Sequence, residues 1–382
     1  MLKKFGTSIY ILTALTLLLI GCSTEKSSYN PQTDSLRFKG ETHLRNIKQL
    51  TFGGNNAEAY WSFDSRQLIF QSDWEKINPQ GCDQIFIMNA DGSKLNSGEQ
   101  YILVSTGKGR TTCSYFLKGD KKIVFASTHE ADENCPESPM FKDGKYVWAI
   151  YPTYNIYSAN ADGTDLTKLI SSDFYDAEAT VSPDGKYIIF TSTRSGDLEL
   201  WRYEIETGNL LQLTNTLGYD GGAFFSHDSK KIVWRASRPE GEAAAQYKEL
   251  LAQNLVEPTA LNIFIADIDG NNVEQITDLP GANWAPFFHP SDKKVLFCSN
   301  HHSQKEGGRL FDIFMIDLES KEIEQITNSG TFDAFPMFSP DGKKLAFASN
   351  RQADGKPTRA TNIFVADWID KPTEADLNFN SN

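Results

Sequence analysis

The feature that most constrains this chain is a hairpin pattern that returns six times. "DAFPMFSPDGKKLAFASNR", residues 333–351, sets two apolar runs around the turn Ser339-Pro340-Asp341-Gly342. Proline fixes φ at the entry of such a turn, glycine permits the φ that closes it, and apolar runs on either side read as paired strands. The pattern recurs as "DAEATVSPDGKYIIFTSTR" at 176–194, "DGGAFFSHDSKKIVWRASR" at 220–238 and "NWAPFFHPSDKKVLFCSNH" at 283–301. Looser copies begin at Thr112 and Ala57. After a variable insert, each hairpin is followed by a short apolar strand such as Asn262-Ile263-Phe264 or Asp312-Ile313-Phe314. A strand ending Gln-Leu-Thr or Gln-Ile-Thr appears at 49–51, 212–214, 275–277 and 325–327.

Six consecutive units of four strands, each of about fifty residues, point to a β-propeller. Four-stranded sheets stacked face to face bury both faces only when the stack closes into a ring. The sixth unit stops after its third strand, Asn362–Asp367, while an orphan fourth strand, Asn46–Thr51, stands before the first unit. The expected fold is therefore all-β: a six-bladed β-propeller with four antiparallel strands per blade, closed by the N-terminal strand completing blade 6. The one helical pattern is Glu240–Gln253, with Tyr247, Leu250 and Leu251 on one side, which reads as a short cap over blade 4.

Ahead of the repeats, Lys3 and Lys4 precede an apolar run, Ile9–Ile20, that leads into Gly21 and Cys22. The run is short for a bilayer span, and Leu19-Ile20-Gly21-Cys22 resembles the lipobox of bacterial lipoproteins. That resemblance implies a signal peptide at 1–21 and lipidation at Cys22. The implied organisation is a lipidated cysteine with a flexible polar tether at 22–42, the propeller at 43–369, and a tail at 370–382. Ser23 stands where an aspartate retains some lipoproteins in the inner membrane. The implied location is the bacterial cell envelope, at the outer membrane or its periplasmic side, with the lipid as the only membrane contact.

The formal charge of −13 becomes −15 once Lys3 and Lys4 leave with the signal peptide. Such a chain meets phosphate with like charge, which argues against nucleic acid as a partner. His129-Glu130 continues as Ala131-Asp132-Glu133, so a zinc-protease H-E-x-x-H helix fails at its second histidine.

The units, above all Ser182-Pro183-Asp184-Gly185 and Ser339-Pro340-Asp341-Gly342 followed by an apolar strand, Ser-x-Arg and Gln-[Leu/Ile]-Thr, resemble the TolB-type propeller repeat over about residues 43–369. TolB carries an α/β domain ahead of its propeller, where this chain shows the tether. With no nucleophile constellation in view, the leading reading is a monomeric envelope propeller that binds a protein, peptide or glycan partner without catalysis.

Let strands A to D run from the channel outwards. The A–B and C–D turns then share one face and are tight, while the B–C and D–A loops share the other. That second face holds every long insert, at 75–82, 130–153, 239–260 and 302–311. Elaborate loops on a rigid ring are where binding usually resides, so the insert-bearing face is the expected site. Strand A opens and strand B ends eighteen residues apart with Asp176–Arg194, Asp220–Arg238 and Asp333–Arg351, while the other three blades lack both partners. Matched presence and absence is the mark of a cross-strand ion pair, so these are structural clamps.

The exceptions place Trp74, His129 and His301 at the corresponding position, with His302 beside the last and Glu58 and Glu178 two residues into strand A. Histidines and carboxylates converging on the channel mouth would suit a polar ligand or a divalent metal ion. In this they are similar to oligogalacturonide lyases, which implies an alternative metal-dependent enzyme using His129, His301, His302 and Gln304. A further alternative is a propeller accessory to a separate peptidase, as in prolyl oligopeptidases. Cys135 is expected to form a disulfide with Cys82 or Cys113, all three lying near one blade junction, and Cys298 reads as a buried thiol.

Overall fold

A computed structural model describes residues 34–356 and 358–379. Six four-stranded antiparallel sheets form the blades of a β-propeller. Their innermost strands, A, are Asn56–Trp61, Thr111–Phe116, Asp176–Val181, Asp220–Phe225, Asn283–Phe288 and Asp333–Phe338. The ring closes as the sequence predicts. Leu44–Gln49 pairs antiparallel with Asn362–Trp368, from Leu44 opposite Trp368 to Gln49 opposite Phe364, and supplies strand D of blade 6.

The recurring motifs have direct structural causes. In blades 4 and 5 the Thr277 and Thr327 hydroxyls accept the backbone N–H of Ile263 and Ile313, each at 2.8 Å, pinning strand D to strand C. Thr51 does the same for Ile363 at 2.9 Å, although 312 residues separate them. Gln49, Gln212, Gln275 and Gln325 each donate to the carbonyl two residues on, at 2.7–2.9 Å. In the A–B turns Ser182 and Ser339 donate to Asp184 and Asp341 at 2.7 and 2.6 Å and accept N–H groups from the returning strand. These are the local hydrogen bonds that make serine and aspartate good turn residues. Neighbouring turns are also linked, as where Phe63 and Asp64 donate to Asp120, or His227 and Asp228 to Asp292.

Every strand A carries a bulge at its third residue, where the pairing register with strand B shifts. Those residues, Glu58, Cys113, Glu178, Gly222, Ala285 and Phe335, all have φ between 47° and 60°. Five of the six hold a conformation that L-residues disfavour, so the bulge is imposed by the fold and not by local preference.

Two expected boundaries move. The tether was expected to run to residue 42, yet Arg37 and Glu41 are buried, and Glu41 bridges blades 5 and 6. Glu41 accepts from Arg351 at 2.9 and 3.1 Å and from the Asn328 backbone, while His43 reaches Glu324 at 3.0 Å and the Ile369 carbonyl. The tail also packs: Glu374–Leu377 is a helical turn, and its buried Asp376 meets Arg37 and Arg45. The polar composition of 34–42 reads as solvated until its opposite charges, some three hundred residues away, are in view. Cys22, the signal peptide and residues 23–33 lie outside the described residues. No described helix is long and apolar enough to cross a membrane.

Candidate functional site at the two mouths of the channel

The insert-bearing mouth is not the open site that its loops suggest. Trp148-Ala149, from the blade 2 insert, pairs antiparallel with Leu255-Val256, from the blade 4 insert. This strap sets the Trp148 indole edge-on against Tyr219 of blade 4 and Trp284 of blade 5, with ring centroids 6.4 and 6.2 Å away. The Arg235 guanidinium lies 5.5 Å from the same ring. The insert helix is Gly241–Leu251, and its Tyr247 donates to Asp197 of blade 3. Cys82 and Cys135 form a disulfide that fastens the blade 2 insert to blade 1, whereas Cys113 is a free thiol on the channel wall. The inserts are tied to one another and to the ring.

The clamp pairs meet as ion pairs. Arg194 lies 2.6 Å from Asp176, Arg238 makes two bonds to Asp220 at 2.8 and 2.9 Å, and Arg351 lies 3.1 Å from Asp333. Each aspartate is opposite the residue two before its arginine, so the guanidinium turns back over the strand end instead of sitting directly across. In doing so it covers a blade aromatic: Phe190 for Arg194, Phe264 for Arg238, Phe347 for Arg351.

His129 and His301 take this same seat. Their Nδ1 atoms lie 2.9 and 2.8 Å from Ser127 and Ser299, the serines that Arg194 and Arg351 use in their own blades as Ser192 and Ser349. Their rings lie tilted against Tyr157 and Phe314, with centroids 4.6 Å apart. Partial burial holds both imidazoles below the usual histidine pKa. His302 turns to Asp312 of its own blade at 2.9 Å. His129 and His301 therefore occupy the seats of clamp arginines in separate blades. Among the described residues no three or more histidine, cysteine or acidic side chains come together as a metal-ligand set. Trp74 also leaves the predicted mouth, lying against Gly53, Gly54 and Tyr101 at the outer wall.

Glu58 and Glu178 do face the channel, with Cys113 between them in the bulge ring. Burial opposes the Glu178 charge, but Arg235 at 2.8 Å and hydrogen bonds from Tyr219, Thr191 and Gly222 hold its carboxyl below the usual range. Gly222 makes this possible, because a Cβ there would lie 1.8 Å from the Arg235 Nη1. Burial pushes the Glu58 carboxyl upward, and its neighbours are the Cys113 thiol and the Tyr60 hydroxyl. This waist of the channel is narrow and internally paired.

The opposite mouth, on the tight-turn face, is open. It forms a funnel of about 260 Å³ lined by Tyr60, Tyr115, Phe224, Phe287 and Met337 at the fifth position of strand A, with Phe63, Pro183 and Pro340 from the turns at its rim. Tyr60 packs on Tyr115 and Phe224 at 5.4 and 5.7 Å, and Phe224 on Phe287 at 5.3 Å, giving a continuous aromatic wall. His227 is the titratable group on the rim, and it is held by Asp292 at 3.1 Å. A concave, rigid, largely apolar surface of this size suits a few side chains of a partner. The signal was present in sequence as Tyr60, Tyr115, Phe224 and Phe287, aromatics four residues after the strand A start in four of the six blades.

Residues 248–360 match the family described as "TolB beta propeller domain". An uncharacterized protein of Agrobacterium fabrum is 28% identical over 158 residues, which is 39% of this chain and 50% of that protein. The Tol-Pal system protein TolB of Francisella tularensis is 26% identical over 110 residues, 28% of this chain and 25% of its own length. The matches thus span half or less of these curated relatives. A solved TolB-type structure from Agrobacterium tumefaciens superimposes with a TM-score of 0.53 at 17% identity, covering 85% of this chain and 97% of that one, a likeness of fold.

Proposed function

We propose that this chain, a β-propeller of the TolB type, is a lipid-anchored protein of the bacterial cell envelope that binds an apolar segment of a protein partner in its turn-face funnel. The observation that carries the reading is the asymmetry of the channel. One mouth is strapped by its own inserts, and the other opens onto an apolar floor, where Tyr60 meets Phe224 across the channel, ringed by short, cross-linked turns. Apolar concavities on a rigid scaffold are where partners dock. Anchoring through Cys22 would hold the ring at a membrane surface while residues 34–43, bonded to blades 5 and 6, fix where the chain leaves it.

The test is a pair of photo-crosslinking amino acids, one at Phe63 on the funnel rim and one at Tyr146 in the blade 2 insert. An envelope protein captured from Phe63 and not from Tyr146 supports the reading, and the reverse pattern overturns it. Cys22→Ser is expected to move the protein from membranes to the soluble fraction; a variant that is processed yet stays membrane-bound removes the anchor.

A further inference from the structure

Five blades turn the residue two past strand B inward over a blade aromatic, as described for His129, Arg194, Arg238, His301 and Arg351. Blade 1 turns its residue outward. The Trp74 indole rests on Gly53-Gly54, where an added Cβ would lie 2.6 Å from Trp74 Nε1 and 2.5 Å from its Cα. Both glycines have positive φ. The pair is a seat that no larger residue could supply, and it opens a cleft of about 550 Å³ between blades 6 and 1.

The cleft wall sets rings and amides among Lys48, Lys76 and Glu99. Phe52 is 65% exposed, and Trp74 and Tyr101 meet edge-on at 6.0 Å. Lys76 shades the Trp74 ring from 5.6 Å, as a long flexible side chain that a ligand can displace. Gln49 and Gln100 each donate one N–H to a backbone carbonyl at 2.8 and 3.2 Å, which fixes their amides in the cleft lining and leaves each with further donor and acceptor capacity. The flanking edges do not suit an added peptide strand. Leu44–Gln49 is interrupted by a register shift between Arg45 and Lys48, and strand D of blade 1 is two residues long, Ile102–Leu103.

We propose that this cleft binds an oligosaccharide, with Trp74 and Phe52 stacking on the apolar faces of sugar rings and Gln49 and Gln100 meeting their hydroxyls. The site is separate from the funnel and does not depend on it. The experiment titrates the purified mature protein with chitotetraose, cellotetraose and a peptide-free peptidoglycan strand, read by calorimetry and tryptophan fluorescence. Saturable binding of at least one sugar is expected, weakened by about tenfold or more in Trp74→Ala and in Phe52→Ala. Phe52 is exposed, so its variant keeps the wild-type melting temperature and reports on binding alone. No binding by any of the three, binding undiminished in both variants, or an aromatic peptide bound where sugars are not, would each overturn the proposal.

Discussion

The two mouths of the channel divide the work of the ring between them. At the insert-bearing mouth, side chains are spent on one another: Trp148 on Trp284 and Tyr219, Arg235 on Glu178, Arg351 on both Asp333 and Glu41. At the turn-face mouth the aromatic rings meet below an open rim, which is stabilised from behind by turn-to-turn hydrogen bonds. Loop length is therefore a poor guide to which mouth of this ring stays open. Long inserts can meet across a channel and close it, whereas a tight turn cannot reach that far. If this division is right, substitutions at the first mouth cost stability and substitutions at the second cost binding.

The largest effect is expected at Arg351. Its guanidinium is fully buried between two carboxylates that are also fully buried. Arg351→Ala leaves both uncompensated and is expected to cost about 3–5 kcal/mol. Adding Glu41→Gln should recover part of that loss, because it removes one stranded charge. Urea titration of the two variants measures both, and a single variant as stable as wild type would break the claim that this mouth holds the charge network.

Stability should also depend on pH through the same mouth. Burial, reinforced by Asp333, pushes the Asp312 carboxyl up to about 8, and burial does the same for Glu199, also to about 8. A carboxyl whose folded pKa lies above its unfolded value keeps its proton longer in the folded state. Its contribution is complete below the unfolded value near pH 4 and is lost as pH rises towards about 8. The melting temperature is therefore expected to fall across that window, and less steeply in Asp312→Asn and Glu199→Gln. A flat profile, or one that rises, would show these carboxyls ionised in the fold.

Much of this architecture was legible because its determinants are local. The Ser-Pro-Asp-Gly turns, the Gln-Leu-Thr strand ends and the missing fourth strand of blade 6 each announce themselves within a few residues. The Asp–Arg matching was legible because three blades keep both partners and three keep neither. What escaped sequence reading depends on distance. Glu41 looks solvated without Arg351, and Trp148-Ala149 and Leu255-Val256 are too short to show a strand period. The bulge ring was hidden because of its six members Gly222 alone is a residue that favours positive φ. His129 and His301 were grouped as ligands by type, when their shared position already made them equivalents of the clamp arginines. Gly53-Gly54 was visible beside Phe52, but a glycine pair does not say which side chain needs the room.

The smallest expected effect sharpens the comparison most, since it sets one aromatic ring against another. Trp148 is a partly buried residue of the strap and makes two edge-on contacts, each of a kind worth roughly 0.5–1.5 kcal/mol beyond its area. Trp148→Ala should therefore cost about 1–3 kcal/mol and expose the amides of Leu255 and Val256 to hydrogen exchange. Phe63, at the funnel rim, faces the opening with its ring half-buried. Phe63→Ala should cost about 1 kcal/mol and leave exchange elsewhere unchanged, because its half-buried ring meets the core only from the edge. Partner capture should respond the other way round, abolished by loss of Phe63 and preserved without Trp148. Hydrogen exchange and capture measured on the same two variants test both halves together. If Trp148→Ala abolishes capture while Phe63→Ala retains it, the strap is the docking surface and the funnel is merely the unfilled end of the core.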